Sequence, residues 1–133
     1  VFMQLSSATH MLAAARAEAE RLGVVVCVSI VDAAGYPVVF LRMDGVALGC
    51  IDVCHKKART AALFHMDSAA FGQVACPGGG AYSLEQTNGG MTSFGGGLVI
   101  RDAGGVVIGG IGVSGARTED DIAIGRVAVA ALS

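Results

Sequence analysis

The chain has 133 residues, 53% of them apolar and only 15% charged, with a formal net charge of −2. That length predicts one domain, 1–133, able to bury a core without disulfide or metal staples. The composition excludes a disordered chain, and an acidic balance excludes a nucleic-acid binder, whose phosphate contacts need clustered lysine and arginine.

Residues 6–22 carry Ala8, Met11, Leu12, Ala15, Ala19 and Leu22 at the three-and-four spacing of one buried helix face, and Gly23 supplies a left-handed stop. Residues 24–31 are β-branched and too short for a helix, so they predict a strand. A turn over 32–35 and a returning strand over 37–42 complete a hairpin. Residues 50–65 predict a second helix with Ile51, Cys54, Ala58, Ala61 and Ala62 on one side, and Asp67 and Ser68 cap a short third one through about 74. Residues 76–97 hold Pro77, eight glycines and few apolar anchors, which predicts a long loop of the kind that carries function. The Asp-Ala-x-Gly of 32–35 recurs at 102–105, so residues 98–113 predict a second hairpin. Thr118, Glu119, Asp120 and Asp121 give a threonine cap and an acidic first turn to a closing helix that ends near 132. Two such hairpins flanked by helices predict an α+β fold around one antiparallel sheet.

Gly110, Gly112 and Gly115 have the spacing of a dinucleotide loop, but they follow a hairpin and no chain remains for the acidic residue expected about 20 positions on. Strand glycines of this kind admit a close approach of backbone or ligand. The four cysteines are expected to be reduced and structural. Cys50, Cys54 and His55 have one residue too many for the Cys-x-x-Cys-His of covalent haem attachment, and Cys50 and Cys54 share a helix face, which is packing. In "HKKART", residues 55–60, the plain expectation is a solvated helix face with Asp52 and Lys56 paired across one turn. The alternative is that His55 and Arg59, one turn apart, reach an acidic ligand. "PGGGAYSLEQTNGG", residues 77–90, brings Tyr82, Glu85 and Asn88 beside Phe94, Gly95, Gly96 and Gly97. Such a segment is either an ordinary surface loop or a cradle of backbone N–H groups.

Taken together, "SIVDAAGYPVVFLRMDG", "KARTAA", "PGGGAYSLE", "SFGGGLVIRDAGGVVIGGIGVSG" and "TEDDIAI" make the chain resemble, over essentially its whole length, the GlcG/HbpS-like family, which includes the C-terminal domain of PduO-type proteins. The resemblance implies a profilin-like sheet flanked by helices and a protein that assembles into homo-oligomers. It also implies a small ligand, with haem the one it names, since some members bind haem through an oxygen or histidine ligand. His10, His55, His65, Thr60 or a methionine could supply that ligand here.

Two functions follow as expectations. One is a small-ligand-binding protein, with His55, Tyr82, Asn88, Phe94, Gly95, Gly96, Gly97 and Ser114 at the ligand. The other is an enzyme acting on a small anionic metabolite, in which Arg59 holds the acid group, Glu85 moves a proton and the glycine N–H groups steady an oxyanion. No metal site is expected. No apolar run approaches the ~20 residues of a membrane span, so a cytoplasmic protein is the expectation, with secretion left open because the chain begins at Val1.

Overall fold

The apolar stripe of the first segment forms α1, Leu5–Leu22, with Ala8, Met11, Ala15 and Ala19 buried, in a computed structural model that describes residues 2–132. Gly23 ends the helix with φ 72°, and the Val24 N–H bonds back to Ala19 O at 3.0 Å. That bond commits Val24 to the helix cap, so β1 begins at Cys27 and not at 24: it runs Cys27–Asp32 and pairs antiparallel with β2, Pro37–Arg42.

The two Asp-Ala-x-Gly turns are built alike. Asp32 Oδ1 accepts the N–H groups of Ala34 and Tyr36, both at 2.9 Å. Asp102 Oδ1 accepts those of Gly104 and Val106, also at 2.9 Å. The second turn joins β3, Gly97–Arg101, to β4, Val107–Ser114, and the sheet order is β2-β1-β4-β3, antiparallel throughout. The α+β expectation is therefore met.

The sheet has two covered faces. On one, Val28, Ile30, Leu98, Ile111 and Val113 form the main core with α1 and with Ile124 and Ala128 of α4, Thr118–Ala130. On the other lies α2, Cys50–Phe64, packed on β4, β1 and β3. The dinucleotide-like glycines explain this second contact. A Cβ on Gly112 would overlap the carbonyl oxygen of Cys54, and one on Gly110 would overlap that of Ala58. These residues seat a helix backbone against a strand, as a permissive strand allows.

Two capping expectations fail for one reason each. Asp67 makes no cap bond to α3, Ser68–Ala75, because its Oδ1 accepts the Val99 N–H of β3 at 2.9 Å. Thr118 is the first residue of α4 rather than its cap, and Arg117, at the cap position, makes no side-chain bond there. The acidic first turn is present. Among the described residues no helix is long and apolar enough to cross a membrane.

Candidate functional site

Because α2 is seated on the glycines of β4 and packs on β4, β1 and β3, the edge strand β2 is left largely uncovered on that face, while α1 packs on its other face. The cleft that results is a cavity of about 550 Å³, bordered by Ser29, Pro37, Phe40, Leu48, Ile51, Asp52 and His55. Phe40, the register partner of Ser29, stays 46% exposed in it. Four of the seven bordering residues are apolar, and His55 is the imidazole.

His55 is half-buried, and its Nδ1 lies 3.4 Å from the buried Ser29 Oγ. Burial holds the imidazole below the ordinary histidine range; Arg59 and Lys56 add to the effect and Asp52 opposes it. The shift favours the neutral ring, the form that ligates metals. Lys56 pairs with Asp52 at 3.1 Å, as the one-turn spacing predicts. Arg59, a further turn along α2, donates from Nη1 to Asn88 O at 2.9 Å and lies against the β1–β2 turn at Gly35.

The other residues singled out in the sequence are distributed more widely. Glu85 is exposed, sits in a short 3-10 turn, Leu84–Gln86, and its Oε2 accepts the Ser93 hydroxyl at 2.7 Å. Tyr82 is 65% exposed. Neither is among the residues bordering the cavity, so acid–base chemistry there finds no partner for Glu85. Asn88 adopts φ 55° and contributes its carbonyl to Arg59. Ser114 is buried at the end of β4, opposite Cys27.

The glycines Gly95, Gly96 and Gly97 require a correction. They are buried and do not form an open oxyanion cradle. The Gly97 N–H donates to Ser68 Oγ at 2.8 Å, and Gly95 packs against Thr118 and Ile122 of α4. Ser68 in turn donates to Phe94 O at 2.6 Å, so the segment is a strut between α3 and α4.

Beneath that strut is a residue of the helix face that the sequence predicts to be solvated. Lys57 is fully buried, and its Nζ donates to Val113 O at 2.7 Å and to Asp121 Oδ2 at 3.1 Å. The Phe94 ring covers it at 4.9 Å. The signal was available: Lys57 is three residues after Cys54 and four before Ala61, on the buried stripe of α2. Ser29 was also passed over; its inward parity between Cys27 and Val31 could have marked it.

All four cysteines are free thiols, and among the described residues no group of three or more His, Cys, Asp or Glu side chains could hold a metal ion.

Comparison with known proteins fits this architecture. A family model described as haem degrading protein HbpS-like matches residues 3–131. The corrinoid adenosyltransferase PduO of Salmonella typhimurium is 39% identical over 127 residues, which is 93% of this chain and 37% of that protein. The chain thus spans well under half the length of that relative. An uncharacterized 15.0 kDa protein of Citrobacter freundii, from the dhaT-dhaS intergenic region, is 33% identical over 94% of this chain and 88% of its own. Among solved structures, a PduOC:heme complex superposes with a TM-score of 0.94 at 35% identity, covering 100% of this chain and 96% of that one. HbpS superposes with a TM-score of 0.91 at 29% identity, covering 100% and 92%.

Proposed function

The chain belongs to the HbpS-like family, and on that premise we propose that it binds haem in the cavity between β2 and the start of α2. The observation that carries this reading is a half-buried imidazole set beside an apolar-walled cavity of about 550 Å³. That volume falls within the roughly 300–1,000 Å³ of small-molecule sites.

The donor set suits the group. His10 and His65 are exposed, and the Thr60 hydroxyl is spent on Lys56 O at 2.7 Å and the Thr92 N–H at 2.9 Å. Of the candidates, His55 is the one that borders the cavity and would hold the iron through Nε2, while Ser29 Oγ faces Nδ1 and would help orient the ring, as partners of metal-bound histidines do. Pro37, Phe40, Leu48 and Ile51 would line the porphyrin face and exclude water from it. Arg59, one turn beyond His55, would meet a propionate carboxylate. When bound, the iron supplies electron-transfer and Lewis-acid chemistry; this chain's residues bind and orient it.

Haemin titration should give a saturable Soret shift at about one equivalent per subunit, and His55→Ala should weaken binding at least about tenfold, the loss of ~1.4 kcal/mol. An unchanged titration in that variant overturns the role of His55. Arg59→Ala should weaken haemin about three- to tenfold yet leave haemin dimethyl ester unaffected, because a half-exposed arginine acts on the carboxylate alone. Equal losses for both ligands would assign Arg59 to packing.

Assembly into a homo-oligomer belongs to the same reading. Phe2, Leu5, Tyr36 and Leu48 are each more than 60% exposed, apolar surface that further copies of the chain would cover. Light scattering should return a multiple of the subunit mass.

A further inference from the structure

Three of the four thiols meet at one place, the seam between β1 and the start of α2. Cys27 and Cys54 are fully buried there with Val46, and Cys50 and Ile51 pack against them. The Cys54 thiol donates to Ile51 O at 3.3 Å, and Cys27 and Cys54 belong to one buried cluster. Burial pushes Cys54 up to about 12 and Cys27 above the ordinary thiol range. Both are therefore protonated at neutral pH and inert as first nucleophiles. Cys50, the first residue of α2, is half-buried and is the member of the cluster that solvent reaches.

We propose that Cys50 is a site of oxidation by hydroperoxides and that Cys27 resolves it as an intramolecular disulfide across the β1–α2 seam. In the first step the Cys50 sulfur, having lost its proton, attacks a peroxide oxygen. The S–O bond forms as the O–O bond breaks, the sulfur is oxidised by two electrons, and the departing oxygen takes the proton as water or an alcohol. In the second step the Cys27 sulfur displaces hydroxyl from the Cys50 sulfenic acid. The S–S bond forms, the S–O bond breaks, and the Cys27 proton leaves with the hydroxyl as water. In sum, two thiols are oxidised and one hydroperoxide is reduced.

Cys27 is the resolving residue on geometric grounds. Cys50 and Cys54 are one helical turn apart, where Cβ atoms lie about 5–6 Å from each other, beyond the roughly 3.5–4.5 Å that a disulfide requires. Cys27 lies instead on the facing strand, in the buried cluster against which Cys50 packs, and α2 is held down on the sheet by the glycines of β4. The bridge would pin the first turn of α2, which carries Ile51 and Asp52 of the cavity wall, to a position two residues before Ser29.

The experiment treats the full chain, in a Cys76→Ser background that removes the exposed thiol, with hydrogen peroxide at low molar excess. Non-reducing digestion and mass spectrometry should find a Cys27–Cys50 linked peptide, lighter by two hydrogens and split by dithiothreitol. Cys50 as sulfinic acid beside a reduced Cys27, or a bridge between two chains, overturns the proposal. Adding Cys50→Ser, a change at a half-buried position, should abolish the disulfide; a Cys27–Cys54 bridge in that protein overturns the assignment of Cys50.

Discussion

Gly112→Ala is expected to unfold or nearly unfold the protein, with Gly110→Ala close behind. The alanine methyl at 112 would overlap the Cys54 carbonyl oxygen and come within 2.6 Å of the Ala58 nitrogen. Both are helix backbone and have no rotamer to yield. Relief requires α2 to lift from β4, and α2 covers one face of the sheet, with Ala58, Ala61 and Ala62 fully buried. Overpacking costs typically about 1–3 kcal/mol where side chains can adjust, and here they cannot, so a loss of at least ~3 kcal/mol follows. At roughly 3–5 °C per kcal/mol for this chain length, Tm should fall by about 10 °C or more. Gly80→Ala is the control: a Cβ there meets nothing within 4 Å, and its effect should stay within about 0.5 kcal/mol. A Gly112→Ala protein that melts with wild type would show that α2 is not seated as described.

The same glycines show why some of the fold could be read from sequence and some could not. Hairpins were legible because Asp32 and Asp102 act locally, each bonding two N–H groups within four residues of itself. α1 was legible because its buried residues keep one period. Gly110 and Gly112 could be recognised as sites of close approach, but not as the seat of α2, since pairing a helix with a strand across some fifty residues leaves no local mark. Asp67 and Ser68 look like caps on sequence alone; the Val99 and Gly97 N–H groups that claim them come from a strand thirty residues on.

The site divides along the same line. His55 and Arg59 follow from helical spacing, and the cavity beside His55 follows from neither. It exists because β2 is an edge strand and α2 sits over β4, a consequence of sheet order alone. Glu85 and the glycines of 95–97 drew attention because chemistry-bearing residue types cluster in that loop. In the structure the loop's hydrogen bonds are turned inward, to Ser68, Ser93 and Thr60, which makes the segment a support rather than an open cradle.

Lys57→Met is expected to be nearly as damaging as Gly112→Ala. Lys57 and Asp121 side chains are 1% and 4% exposed, and the pair joins α2 to α4 with Val113 O as a third partner. Burial pushes the Asp121 carboxyl above its ordinary range, while Lys57 and the Ala116 and Gly115 N–H groups pull it down. Without the ammonium only the weaker opposition remains. Asp121 is then a buried acid short of a partner, Val113 O loses its donor, and Phe94 loses the cation beneath its ring. Breaking a buried pair by removing one member costs about 3–5 kcal/mol, whereas replacing both is often close to neutral. The double variant Lys57→Met with Asp121→Asn, which keeps a side-chain acceptor for the Ala116 N–H, should therefore recover a substantial part of the loss, with a coupling of about 1.5 kcal/mol or more. Denaturant melts of the wild type, both single variants and the double variant close the cycle. If Lys57→Met costs under about 1 kcal/mol, or the two changes simply add, the ion pair is not what fastens α4 and the Phe94 strut to the sheet.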